Sequence, residues 1–402
     1  MAKHRTGIWL IGAKGGVGTT CILGIAALRR RLTDTIGLVS ELPPFGKLPL
    51  ADWKDLVVGG HDVRETSLYE ESLKLQQVSR ALDGELIRRC KTDLDQVDGQ
   101  IRPGILFNAG RTIEKLADDP RLPRREPPRA AIERAKEDIE SFRRTHRLER
   151  VVVVNVASTE PPVDGSAIPE RWSDLAPLLD KPRRCPLASS SLYAVAAFEA
   201  DCPFINFTPS AGASSPALCG LALDRGLCHM GHDGKTGETL LKSVLAPMFA
   251  HRNLEIMSWV GHNIFGNMDG LVLDDPANKR TKVQSKDRLL RHILGYAPQT
   301  HVSIEYIRSL GDWKTAWDHV HFRGFLNTPM MLQFTWQGCD SLLAAPLVLD
   351  LVRFTDLAVR LGSRGLLTFL ASFFKSPHGV DEHDFHRQFA MLEEWVASAA
   401  TR

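Results

Sequence analysis

The sequence predicts an α/β protein built on a doubly wound parallel sheet, and three observations carry that expectation. An apolar run, "TGIWLIG", leads into the glycine-rich "GAKGGVGTT" and then into "CILGIAALRRRL", whose apolar residues recur at helical spacing. A second run, "VVVVNVAST", is continuously β-branched, as suits a strand buried on both faces of a parallel sheet. Strands and helices alternate between the two. In such folds ligands bind at the carboxyl ends of the strands.

The opening segment reads as strand, tight turn and helix N-terminus, where backbone N–H groups and the helix dipole favour a bound anion. That geometry serves both the phosphates of ATP and the pyrophosphate of NAD. An ATP loop ends in GK[ST], but Gly18 is followed by Thr19, so its lysine is missing. Lys14 stands where the "KGGVG" ATPases of the MinD and ParA type carry their signature lysine, and also where GxGxxG has its second glycine. The stretch favours a dinucleotide loop, with an ATP loop and a plain structural turn as the other readings.

Further along, "GLVSELPPF" reads as a second strand ending in a proline turn, and Glu41 at its end is the ribose-binding acid of a generic dinucleotide fold. "SLYEESLKLQQVSRALDGELIRRCK" is a polar helical stretch, and "DDPRLPRREPPR" is a basic, proline-rich loop. "AAIERAKEDIESFRRTHRLER" places Ile132, Ala135, Ile139 and Phe142 on one helical face. Glutamates interleave with its arginines, so the charged side is a solvated face rather than a nucleic-acid patch. The loop after "VVVVNV" offers Val156, Ala157, Ser158 and Thr159 as cofactor contacts. From about 228 to 342 the texture changes to Gly-, Asn-, Asp- and Lys-rich loops with strands such as "LEIMSWVG" and "HVSIEYIRSL". The end is helical, in "SLLAAPLVLDLVRFTDLAVRL" and "FHRQFAMLEEWVASAA".

Composition narrows the class. At 402 residues the chain suits two or three domains, and 43% hydrophobic with 24% charged residues is ordinary for a soluble protein. A net charge of +2 supplies no field for nucleic acid or an anionic membrane. No apolar run reaches the ~20 residues needed to span a bilayer. The N-terminus lacks a signal-peptide cleavage site, and 7 cysteines without a CxxC pair suit reduced thiols. Together these predict a cytoplasmic protein.

Chemistry-bearing residues gather late in the chain. Lys282 and Lys286 are four apart, on one face if helical; Lys314 follows Asp312 in "GDWKTAW"; Lys375 closes the apolar "FLASFFK", which would desolvate it. Clustered lysines serve proton transfer or hold a phosphate, although separate solvated lysines would give the same letters. The histidines of "CHMGHD", "WDHVHF" and "DEHDFH" (with Cys228, His232, His319, His321, His383 and His386) make no complete metal-ligand set and read as ordinary polar or core residues.

"GHDGKTGETLLKSVLAPMF", "SWVGHNIFGNMDG", "KRTKVQSK" and "GCDSLLAAPLVLDLV", in this order and spacing, resemble the myo-inositol-1-phosphate synthase (inositol-3-phosphate synthase) family, and the opening "GIWLIGAKGGVGTT" is similar to its bacterial branch. The resemblance runs from the glycine loop to about Lys375. It implies a Rossmann-type NAD-binding domain over 1–240, completed by helices in 343–402, with an α+β catalytic and tetramerisation domain inserted at 241–342. It implies NAD at Gly12, Gly15, Gly16 and Gly18, and moves the ribose acid from Glu41 to Asp62 in "GGHDV". Ala157, Ser158, Thr159, Asp233 and Asp269 fall on cofactor contacts. Lys282, Lys314, Lys375, Asp312 and Asp340 fall on catalytic positions, and Lys286, Thr236 and Asn267 on phosphate-binding ones.

The implied reaction is an isomerase-class intramolecular lyase step: glucose 6-phosphate is oxidised at C5, enolised, closed by aldol attack on C1 and reduced again. NAD is catalytic, a cation of unidentified kind activates, and the assembly is a homotetramer with neither nucleic acid nor membrane as partner. The chain departs from the family at Met268 and Glu238, which replace an asparagine and a glutamine, and at Glu305, where some relatives carry lysine. "TPSAG" only loosely echoes the family's "SPQNT" loop. Two rivals stand beside this reading: a cyclase of the same fold acting on another sugar phosphate, and a MinD-like ATPase switch.

Overall fold

The computed structural model describes residues 5–267, 270 and 289–401. Its first sheet holds β1 (Thr6–Ile11), β2 (Leu56–Asp62), β3 (Ile101–Pro103), β4 (Arg150–Asn155), β5 (Phe204–Asn206), β6 (Cys228–Gly231) and β11 (Gly365–Leu366). All pair in parallel, in the order β11-β6-β5-β4-β1-β2-β3. Because side chains alternate along a strand, Ile8 and Leu10 enter one core while Trp9 and Ile11 enter the other. Val152 and Val154 divide from Val151 and Val153 in the same way, so the β-branched run is buried on both faces as expected. Helix Pro128–His146 covers one face through Ile132, Ala135, Ile139 and Phe142. Helix Gly16–Arg29 covers the other, sharing its core with Asp340–Arg360 and Phe385–Ala399 from the end of the chain.

The chain leaves β1 for β2 and β3 on one side, then returns to β4 on the other. This reversal opens a crevice between the carboxyl ends of β1 and β4.

A second sheet has the order β10-β9-β7-β8, with β7 (Glu255–Phe265) parallel to β8 (Gln299–Tyr306) and antiparallel to β9 (Trp313–Arg323), which pairs β10 (Pro329–Cys339). Helix Glu238–His251 packs Ala246 and Phe249 against Ile256, Trp259 and Val320 of this sheet.

One local expectation is corrected. "GLVSELPPF" is not a strand but a pair of single 3-10 turns, Val39–Glu41 and Pro43–Phe45. The adjacent prolines cannot donate to a ladder. The Val39 and Ser40 N–H groups instead donate to the buried Asp350 carboxylate at 2.7 and 3.0 Å. The second strand is "LVVGGHD", so Glu41 ends no strand and pairs with Arg353 at 2.6 Å. The polar helical stretch is two helices, Leu68–Ser79 and Gly84–Asp98, broken at Arg80 in the left-handed region, with Asp83 capping the second.

Candidate active site

The glycine loop is shaped by contacts that exclude side chains. Gly12 has φ +86°, and a Cβ there would lie 2.7 Å from the Ala157 Cα, so the turns after β1 and β4 touch across the crevice. A Cβ on Gly18 would lie 2.6 Å from the Gly12 and Ala13 carbonyl oxygens, and one on Gly16 would lie 2.4 Å from the Ser341 hydroxyl. Gly18 thus supports the loop from behind, while Gly12, Gly15 and Gly16 line a cleft of about 840 Å³.

Lys14 does not reach into that cleft. Its ammonium donates to the Thr66 carbonyl and lies 3.9 Å from Asp98, so it cannot do the work of an ATPase signature lysine.

Asp62 lines the cleft at the end of β2. Its carboxylate accepts the Lys14 N–H at 2.7 Å and the Val63 and Arg64 N–H groups at 2.8 and 3.0 Å, while burial raises its pKa. Ala157, Ser158 and Thr159 line the facing wall beyond β4.

At the other end of the cleft the second sheet contributes its chemistry. Trp313 of β9 pairs with Cys339 of β10, which brings Asp312 and Lys314 beside Asp340. The Lys314 ammonium lies 3.7 Å from Asp340 and 5.0 Å from the Phe265 ring centre. Thr236 donates to Asp340 at 3.3 Å. Asp312 accepts from Ser341 N–H and Cys339 Sγ at 2.9 Å and from the Ser341 hydroxyl and Asn267 at 3.0 Å. Burial raises its pKa.

Lys375 arrives from the first sheet's side. Residues 373–376 pair with 232–235, and the Lys375 ammonium reaches the Asp233 carboxylate at 2.7 Å. Asp233, Thr236, Asn267, Asp312, Lys314, Asp340 and Lys375 therefore face one cleft with the glycine loop, although they span over 140 residues. Lys282, Lys286, Asp269 and Met268 lie outside the described residues.

Sequence reasoning missed two groups. Glu160 lines the cleft and is buried. It accepts the Ser190 N–H at 2.8 Å, bonds the Ser190 hydroxyl, and has its pKa pushed up to about 7 by burial. Lys235 lies behind Lys375, where burial and then the Lys375 charge push its pKa down to about 7, and it donates to Gln388 at 2.5 Å. Its place inside "GHDGKTGET" was the available signal. Glu238, noted as a departure, is buried with Lys242 at 2.7 Å and accepts from Asn263 at 2.6 Å, so the chain matches its extra carboxylate with a buried ammonium.

A doubly wound sheet with a glycine turn at its switch point, sharing a cleft with one lysine–carboxylate pair from its own side and another from a second sheet, defines a dinucleotide-dependent enzyme of the α/β class. Residues 6–397 match the family profile described as myo-inositol-1-phosphate synthase, and the chain belongs to that family. It is 32% identical to inositol-3-phosphate synthase 1 of Bacteroides thetaiotaomicron, over 98% of this chain and 95% of the relative. It is 29% identical to inositol-3-phosphate synthase 1 of Mus musculus, over 93% of this chain and 74% of the relative. In fold it is similar to the inositol-3-phosphate synthase of Caenorhabditis elegans, with a TM-score of 0.89 at 23% identity over 99% of this chain and 86% of that one.

Proposed function

We propose that the protein is an NAD-dependent cyclase converting D-glucose 6-phosphate to 1D-myo-inositol 3-phosphate. The observation that carries this reading is the facing of two lysine–carboxylate pairs, Lys314–Asp340 and Lys375–Asp233, across a cleft whose far end is the glycine loop.

The residues present fit NAD. Gly12, Gly15 and Gly16 line the cleft with bare backbone that would face a pyrophosphate, Gly18 supports their turn from behind, and Asp62 at the end of its strand would meet the ribose. Arg64, the neighbouring cation that a ribose phosphate would need, is already engaged by Glu71 at 3.3 Å and by the Lys14 carbonyl, which favours NAD over its phosphorylated form. When bound, NAD supplies a hydride acceptor and later a donor at one carbon.

The chain's own residues carry the remaining work. Lys314, held by Asp340 and against Phe265, moves the proton at the carbon being oxidised and reduced, a role it shares with Lys282. Lys375, anchored on Asp233, places a positive charge at the aldehyde oxygen as the ring closes. Lys286, Thr236 and Asn267 hold the phosphate. Asp312, bonded from four sides, keeps Asn267 and the start of helix Asp340–Arg360 in place rather than exchanging protons. Activation by a cation, a homotetramer, a cytoplasmic setting, and the division into 1–240 with 343–402 and an inserted 241–342 belong to the same proposal.

Substrate deuterated at C5 tests it. The label should return to C5 of an inositol monophosphate with no net NADH. Accumulating NADH, or label lost to free cofactor, would mark a simple sugar-phosphate dehydrogenase instead, and turnover only on another sugar phosphate would move the assignment to a sister cyclase.

A further inference from the structure

Away from the cleft, three segments bring soft ligand atoms together. Helix Pro216–Asp224 supplies the Cys219 thiol, β6 supplies His229, and the turn after Lys375 supplies His378. One ligand atom from each lies within 4.8 Å of the other two, and His229 is only 1% exposed. None of the three lines the cleft, and the reaction uses none of them.

The Cys219 thiol also meets the Ala213 carbonyl oxygen at 3.4 Å. The His229 ring centre lies 5.9 Å from that of Phe198, and the His378 ring centre 5.4 Å from that of His232. Beside them the His232 Nδ1 is buried with no hydrogen-bond partner among the described residues. Two imidazoles and a thiol within ligand reach of one another offer three soft lone pairs that a single bound cation would draw on together.

We propose that Cys219, His229 and His378 bind a divalent transition-metal ion of the zinc type, which pins the Lys375 turn to the sheet. A thiolate with two imidazoles suits zinc, whereas magnesium and calcium require oxygen ligands. Tetrahedral zinc with bonds of about 2.0–2.3 Å sets its ligands roughly 3.5 Å apart, so side-chain rotation must draw these atoms together by about 1 Å. The Sγ–metal bond forms as the Cys219 proton leaves to solvent, and the two imidazoles bind through lone pairs without losing protons. The His378 N–H already donates to the Gly231 carbonyl at 2.7 Å, so the backbone of the turn is in place before metal arrives. The ion would couple β6, which leads to Asp233, to the turn that follows Lys375.

The "CHMGHD" stretch suggests Cys228 and His232, yet the cluster uses His229, and its thiol comes from the preceding helix. The Cys228 thiol instead meets the Ser363 carbonyl at 3.0 Å.

The test uses full-length, untagged, reduced protein, stripped with a chelator and titrated with cobalt(II). The wild type should take up one equivalent, with a thiolate-to-cobalt charge-transfer band and intense tetrahedral visible bands, all displaced by zinc. Cys219→Ser should lose the charge-transfer band. His378→Ala, a change in a half-buried turn residue, should lose the tetrahedral bands while circular dichroism stays native. Absence of these bands in the wild type, or their persistence in His378→Ala, overturns the proposal. Because the readout is metal absorbance and not turnover, it can fail while the cyclase reading stands, and the reverse.

Discussion

A methyl group at position 18 would sit 2.6 Å from two backbone oxygens, whereas one at position 15 would sit 3.1 Å from the Gly12 oxygen alone. Gly18→Ala should therefore displace the loop, abolish NAD binding and lower the melting temperature; Gly15→Ala should fold normally and bind NAD several-fold more weakly. Calorimetric NAD titration of both variants checks this, and equal effects would contradict it. At Lys375, replacement by alanine should leave NAD binding intact and lower turnover by ~10²–10⁴, the usual cost of a lost proton-transfer or charge-stabilising group. Near-normal turnover would return Lys375 to a structural partner of Asp233.

Glu160 predicts a pH effect. Its pKa is about 7 in the folded protein against 4.5 for the ordinary group, so the folded state keeps a proton that the unfolded chain releases. Stability should fall as pH rises between those two values and level off above them. Glu160→Gln removes the ionisable group, so the variant should gain on the wild type by on the order of 3 kcal/mol across that window. A stability difference that does not change with pH would rule out this role. Glu160 was invisible in the sequence because its environment comes from Ser190 and Ser210, which reach it only in the folded chain.

Among the elements, those with strong periodicity were legible and those punctuated by polar turns were not. The runs at β1 and β4 and the helices of the C-terminal region appear where their apolar spacing puts them. The segment 37–45 reads as a strand ending in a proline turn, but its N–H groups have a better acceptor in Asp350, more than 300 residues away. Burial pushes the Asp350 pKa up to about 6, and Arg353 beside it bonds the Ser40 hydroxyl. Asp350→Ala should leave two N–H groups of the Val39–Glu41 turn without a protein acceptor and cost about 1–3 kcal/mol, seen as a lower urea midpoint with NAD affinity unchanged. A wild-type midpoint would mean that water replaces the carboxylate.

At the scale of the molecule, one face of the second sheet is covered by helix Glu238–His251, while Trp317 and Met331 are 47% and 58% exposed. The tip joining β9 to β10 carries Phe325 and Leu326 at 88% and 81% exposure. Apolar side chains left open together mark an association surface, and the proposed homotetramer would bury them. Light scattering at micromolar concentration should give four chains, and Phe325→Glu with Leu326→Glu should lower that number without unfolding the subunit. A wild-type monomer would count against the assembly.

The sequence by itself determined the doubly wound class, the place of the glycine loop and the family, because these rest on local periodicity and on motifs contiguous in the chain. The absence of a lysine after Gly18 already weighs against an ATPase loop, and the structure adds that Lys14 is turned to Thr66. Only the tertiary structure decided which strand follows β1, which acid faces which lysine, and that Glu160 and Lys235 belong to the surroundings of the site. The physical reason is common to all of them. A carboxylate or an ammonium takes its pKa and its partner from whatever packs against it, and here those neighbours come from distant segments: Asp340 for Lys314, Asp233 for Lys375, Asp350 for the turn at Val39.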